Sequence, residues 1–170
     1  MEIDAISLSE PDCGAREAEL VGAVLQSARW SDGPMRESFE RAFAGWAGRA
    51  YAVAVAGGTA GTWIALRALG IGPGDEVVCA AHTWHQVAHA ITLAGATPVF
   101  ADIDYWSGCL SADKAARKIG PRTRAILAGN TNGHPAAWGP LRRLADAHGL
   151  ALIEDSTEAL GSRYQGRGVG

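Results

Sequence analysis

The sequence predicts an α/β fold: a mostly parallel sheet flanked by helices. Three observations carry the prediction. Short runs that are apolar on both alternating faces recur from Tyr51 onward. A helical segment follows each of the first four. Glycine- and proline-bearing loops separate them, such as Gly70-Ile-Gly-Pro-Gly74, Gly95-Ala and Gly120-Pro121. Strands that are apolar throughout, each followed by a helix, are the signature of βαβ units with a sheet covered on both sides.

Taken in order, residues 15–28 place Leu20, Val21, Val24, Leu25 and Ala28 on one helical stripe. Gly33-Pro34 opens a second helix, with Phe39, Ala42, Phe43 and Trp46 along one face and Asp32 as its predicted cap. The predicted strands are YAVAV (51–55), EVVCA (76–80), TPVFA (97–101), RAILA (124–128) and LALIE (150–154). Helices are expected at about 60–69, 85–94, 111–119 and 137–148. Residues 1–50 read as an N-terminal helical extension and 51–170 as the sheet-bearing part.

Bulk properties narrow the function. The 170 residues fit one ordinary domain. A net charge of -3 gives no basic excess to draw nucleic acid or an anionic membrane. No apolar run approaches the ~18 residues of a membrane span. Three widely spaced cysteines, Cys13, Cys79 and Cys109, make neither a disulfide framework nor a zinc site, so a reducing cytoplasm is expected. MEIDAISLSEPDCG has no basic segment followed by an apolar core, so no signal peptide is expected. Lysine is scarce, with only Lys114 and Lys118.

In open α/β sheets, ligands bind outside the C-terminal ends of the strands, so the residues there are the ones to weigh. Ala56-Gly-Gly-Thr-Ala-Gly61 sits between a predicted strand and a helix, where first-turn N–H groups face a phosphate. It is neither a Walker A loop nor G-x-G-x-x-G, and an ordinary glycine turn with Thr59 as cap is the plain alternative. In HTWHQVAHA, Trp84 offers a flat ring, unless it is a core tryptophan. His85 and His89 share a helix face, but without the Glu of H-E-x-x-H they make a weak metal signal, and no metal is expected. Asp102-Ile-Asp104 suits a cation and a nucleotide-sugar diphosphate in a glycosyltransferase, or simply ends a strand in a turn. Asp155 and Glu158 have capping-box spacing. Yet Asp155 leaves an apolar strand at the ligand end, where a carboxylate needs a cation or donors. A protonated pyridine nitrogen meets that need. A phosphate cradle, a ring to stack on and an acid for a pyridinium together describe a pocket for pyridoxal 5′-phosphate (PLP).

Five stretches in order then resemble the DegT/StrS-type PLP-dependent aminotransferases: GPMRESFERAFAGWAG, YAVAVAGGTAGTWIALRALGIGPGDEVV, AAHTWHQVAHAITLAGATPVFADID, GPRTRAILAGNTNGHPA and LALIEDSTEALGSRYQGRGVG. The resemblance runs from about Trp30 to Gly170. It implies the first part of a fold-type I large domain and amino transfer from glutamate or glutamine to a keto-sugar, often nucleotide-linked, or a cyclitol, as in aminosugar and antibiotic biosynthesis. By position, Gly58, Thr59 and Ala60 resemble the phosphate-binding Gly-Thr-Ala. Trp84 matches the stacking aromatic, and Asp155 the acid on the pyridine nitrogen. Glu158 stands where Gln or His contacts the ring's 3-oxygen. Asn130 and Asn132 stand where the family commonly has His and an aromatic, a departure that bears on substrate choice or marks a subgroup.

The resemblance also implies what the chain lacks. The family's Schiff-base lysine lies beyond Gly170, and Lys114 and Lys118 sit in LSADKAARKIG, a segment between strands. The C-terminal small domain is absent too. The expectation is a fragment or a subunit of a split enzyme, inactive alone. It would partner a complementary C-terminal subunit or a second copy in a homodimer. The alternative is a non-catalytic module of the same fold that binds a nucleotide-sugar or a partner subunit.

Overall fold

The computed structural model describes residues 10–170. The reading of MEIDAISLSEPDCG as free of a signal peptide rests largely on residues outside that range. The chain divides into two compact units, one ending at Ala54 and one spanning Val55–Gly170.

The first unit holds α1 (Ala15–Gln26) and α2 (Pro34–Ala47). Glu17 turns back to accept from Gly14 N (2.7 Å) and so closes the start of α1. Pro34 occupies the first position of α2, where its missing N–H costs nothing. Asp32 does not cap this helix as expected. Gly33 is the N-cap, and Asp32 instead accepts from Arg36 (2.9 Å), which also pairs with Glu40 (2.7 Å). Phe39, Phe43 and Trp46 form a row with ring centroids 5.7 and 5.5 Å apart, on the face the periodicity assigned them.

The second unit carries α3 (Gly58–Ala68), β1 (Glu76–Ala80), α4 (His85–Leu93), β2 (Thr97–Ala101), α5 (Ala112–Ala116), β3 (Thr123–Gly129), α6 (Trp138–His148) and β4 (Ala151–Asp155). The four strands form one parallel sheet in the order β2-β1-β3-β4. Apolar character on both alternating faces has a direct structural cause. Val77, Cys79, Ala125 and Leu127 face one cluster with Leu66 of α3 and Val87 and Ile91 of α4. Val78, Ala80, Ile126 and Ala128 face the other, with Ala115 of α5 and Leu141 and Ala145 of α6. Every one of these side chains is buried. The two central strands, β1 and β3, are therefore covered above and below, while the edge strands β2 and β4 are only partly buried. Burial also pushes the Cys79 thiol up to about 12. Cys13, Cys79 and Cys109 are all free.

Two expectations about elements fail. YAVAV forms no strand: among the described residues no strand pairs with 51–55, and Tyr51 and Val53 are 88% and 74% exposed. β-propensity without a ladder partner does not make a strand. The helix expected at 111–119 is only Ala112–Ala116, capped by the Ser111 side chain. An element the sequence reading omitted closes the chain. The hairpin β5 (Arg163–Tyr164) and β6 (Arg167–Gly168) turns through Gln165 and Gly166, both at positive φ (50° and 81°), as a tight two-residue hairpin loop demands.

Candidate active site

The parallel sheet directs the C-terminal ends of β1, β3 and β4 to one edge, and the loops that leave those ends meet there. Gly57, in an extended conformation, is the N-cap of α3. The first intrahelical bond runs from Gly61 N to Gly57 O (3.1 Å), so the N–H groups of Gly58, Thr59 and Ala60 precede it. Thr59 is therefore a first-turn residue and not the cap. A side chain at position 58 would reach Gln86 Nε2 at 3.4 Å and Thr157 Cγ2 at 3.8 Å. The absence of a side chain there leaves the start of α3 open toward the start of α4 and the turn after β4.

Trp84 precedes α4 as its N-cap residue and is 50% exposed, so it is not a core tryptophan. Its indole Nε1–H donates to Glu158 Oε1. Glu158 Oε2 accepts from Asn132 N (3.3 Å). A pocket of about 360 Å³ lies among His82, Trp84, His85, Asn132 and Glu158.

Asp155 ends β4. Its Oδ1 accepts from Thr157 N (3.1 Å) and Thr157 Oγ1 (2.8 Å), an Asx-type turn. No helix follows, so the capping-box reading of Asp155 and Glu158 does not hold. Asp155 also lies beside β3: Asn130 N donates to its carbonyl (2.9 Å), and a Cβ on Gly129 would sit 3.8 Å from that oxygen.

Beneath this edge is a polar network that sequence reasoning missed. Asn130 is 2% exposed. Its amide nitrogen donates to Glu154 Oε1 (2.8 Å) and Ser156 Oγ (2.7 Å). Its oxygen accepts from Ala136 N (2.8 Å) and Trp138 Nε1 (2.9 Å). Glu154 Oε1 also accepts from Ser156 Oγ (2.9 Å) and Gly170 N (2.8 Å). Asn130 thus serves the interior rather than a substrate. The available signal was its position: an amide directly after a buried strand needs partners on all sides.

Asp102 and Asp104 end β2 as turn-makers. Asp104 Oδ1 accepts from Ser107 N (2.9 Å), Ser107 Oγ (3.0 Å) and Trp106 N (3.2 Å). The Ser107 N–H is the main cause of its lowered pKa. The Ile103 N–H, and then Lys114, lower that of Asp102. Lys114 Nζ lies 3.3 Å from Asp102 Oδ2 and 2.8 Å from Ile103 O, so its ammonium is held at the end of β2. His85 and His89 meet edge to face at 5.1 Å. Among the described residues no group of three His, Cys, Asp or Glu is arranged to hold a metal ion. Nor is any described helix long and apolar enough to cross a membrane.

The donor set suits one chemical class of ligand: a phosphate at the start of a helix, a flat ring near an exposed indole, and a cationic nitrogen near a carboxylate. Comparison with known proteins gives the family. The profile of the DegT/DnrJ/EryC1/StrS aminotransferase family matches residues 11–170, and the chain belongs to this family. Its fold is that of three solved structures. DesV from S. venezuelae has 42% identity and a TM-score of 0.90 over 92% of this chain. 3-Amino-5-hydroxybenzoic acid synthase has 32% identity and a TM-score of 0.91 over 95%. Spr1654 from Streptococcus pneumoniae, in its PLP form, has 28% identity and a TM-score of 0.90 over 96%. The chain spans only 42%, 43% and 45% of the length of those three proteins. PLP, or its aminated form PMP, is the cofactor of the solved relatives.

Proposed function

We propose that this chain is the cofactor-binding portion of an aminotransferase that moves an amino group from an amino acid to a keto-sugar, often nucleotide-linked, or to a cyclitol. Residues 51–170 are the first part of the PLP-binding large domain, and 1–50 a helical extension of it. The observation that carries the reading is the convergence of the α3 start, the α4 start and the β4 end at one sheet edge. There Gly58 comes within a side chain's reach of both Gln86 and Thr157.

In this reading the first-turn N–H groups of Gly58, Thr59 and Ala60 bind the phosphate. Trp84 lays its exposed ring against the pyridine. Asp155 would hold a proton on the pyridine nitrogen, with Thr157 engaging its Oδ1 through both N–H and O–H. When bound, the cofactor supplies the electron sink for amino transfer. The lysine that anchors the cofactor lies on a complementary segment or subunit, and much of the substrate site on that partner or on a second copy. Cytoplasmic location follows the family's small-molecule chemistry.

Asp155→Ala is expected to abolish PLP retention in the complete assembly, read by absorbance after desalting. Undiminished cofactor content would remove the assignment. Borohydride reduction followed by peptide mass spectrometry locates the anchoring lysine. An adduct confined to a lysine outside these 170 residues supports a two-part site. A stoichiometric adduct on Lys114 or Lys118 contradicts it. Stabilisation by a nucleotide-sugar with no PLP retention would instead favour a non-catalytic module.

A further inference from the structure

We propose that Glu158 is a positioning residue that acts on the cofactor through the Trp84 indole and not by touching the ring's 3-oxygen. The inference rests on the reading of Trp84 as the stacking residue.

Each oxygen of Glu158 already accepts a hydrogen bond from within the chain. Oε1 accepts the Trp84 indole N–H, and Oε2 accepts Asn132 N–H at 3.3 Å. Asn132 adopts φ +50°, a left-handed conformation that asparagine tolerates, at the turn from which its N–H reaches Glu158. Three separate segments are thereby tied at one carboxylate: the start of α4, the loop after β3 and the turn after β4. The chemistry agrees with the geometry. A carboxylate only accepts hydrogen bonds, and the 3-oxygen of the pyridine ring, once ionised, only accepts as well. Facing each other they repel. A Gln or His at this position can donate, whereas Glu cannot.

Clamping the indole has two consequences. It removes rotamer freedom from a side chain that is 50% exposed, so less ordering is left for cofactor binding. An N–H donated to an anion also pushes electron density into the indole ring. An electron-rich face holds an electron-poor, cationic ring more strongly.

The test uses protein labelled with ¹⁵N at the indoles, together with W84F, E158A, E158Q and the W84F/E158A pair. Far-UV circular dichroism and urea midpoints confirm that each folds. W84F assigns the Trp84 indole N–H resonance, which is expected downfield. It should move upfield in E158A and part of the way in E158Q, which keeps one acceptor. Affinity is read by titration with pyridoxamine 5′-phosphate, whose amine cannot condense with surface lysines. W84F and E158A should each weaken binding about threefold to tenfold. The double variant should be no weaker than W84F alone, because Glu158 acts through the indole N–H that W84F has already removed. Two results overturn the proposal while leaving the stacking role intact: additive losses in the pair, which would mean Glu158 makes its own contact, or full affinity in E158A beside a weakened W84F. Full affinity in a further variant, W84A, overturns the stacking role itself.

Discussion

The C-terminal ends of β2 and β4 carry the same sequence signature, an apolar strand followed by acids, and they end up in opposite surroundings. Asp102 and Asp104 are satisfied within their own loop, by the backbone of residues 103–107 and by Lys114. Glu154 receives donors from two distant points, Asn130 and Gly170, as well as from the nearby Ser156. Asp155, next to it, lies where the start of α3 and the start of α4 also approach. The strands themselves do not differ in kind. The difference is the neighbour. β4 ends beside β3, whose outgoing loop returns Asn130, Ala136 and Trp138 to the same place. β2 is the other edge strand, beside β1, and among the described residues its acids take no hydrogen bond from the loop that leaves β1. An acid at a strand end becomes part of a site when adjacent strand ends supply its donors. Otherwise it caps a turn.

The largest test of this contrast is Asn130→Leu. It would leave Glu154, Ala136 N and Trp138 Nε1 short of a partner while filling similar volume. A loss of about 3 kcal/mol is expected, read from urea unfolding, because unsatisfied buried groups cost about 1–3 kcal/mol each and partly find water. The network flanks Asp155, so cofactor retention should fall as well. A loss confined to a few tenths of a kcal/mol would mean that the network is ornamental and that the two strand ends do not differ as argued.

The sheet beneath gives the next test. Cys79 lies fully buried between the strand ends, and its thiol is pushed up to about 12 by desolvation, whereas Cys13 is exposed. A raised thiol pKa stabilises the fold below the unfolded value near about 8.5, and that contribution is lost as pH rises toward the folded value. At pH 8, Ellman's reagent should therefore modify Cys13 at least about a hundredfold faster than Cys79, since the thiolate is the reactive form. Rapid modification of all three thiols would show that the sheet opens on that timescale.

The sheet was largely legible in the sequence because burial on both faces leaves a mark that depends on nothing distant. EVVCA and TPVFA are strands with the predicted bounds, and RAILA and LALIE differ by one residue at each end. YAVAV bears the same mark and is not a strand, because pairing depends on a partner that its own residues do not specify. Legibility of the site followed the same division. Gly58, Trp84 and Asp155 could be singled out because each follows or begins a recognisable element. Gln86, Thr157 and the Asn130–Glu154 bond could not, since those contacts are made across 24 to 99 positions of chain and are set by strand order. The Glu158–Trp84 bond, 74 positions apart, belongs with them.

The smallest expected effect is at the β2 end, and its sign differs from a simple packing loss. Asp104 has a lowered pKa, chiefly because the Ser107 N–H donates to its carboxylate. Such a group contributes stability above its unfolded value of about 3.9 and loses it as pH falls through the folded value. Asp104→Ala removes the acceptor altogether. The variant should be slightly less stable than the parent at pH 7, and the two should begin to converge as pH falls below about 4 and meet once the parent's carboxylate is protonated, below its lowered folded value. Urea midpoints at pH 7, 5 and 3 measure this. Cofactor retention should stay at the parent's level at pH 7, because every hydrogen bond of the Asp104 carboxylate is made inside its own turn. A gap that persists unchanged to pH 3 would show that Asp104 acts through shape and not charge. A loss of cofactor would show that the two strand ends are coupled, and the distinction between turn-making and site-forming acids would have to be drawn elsewhere.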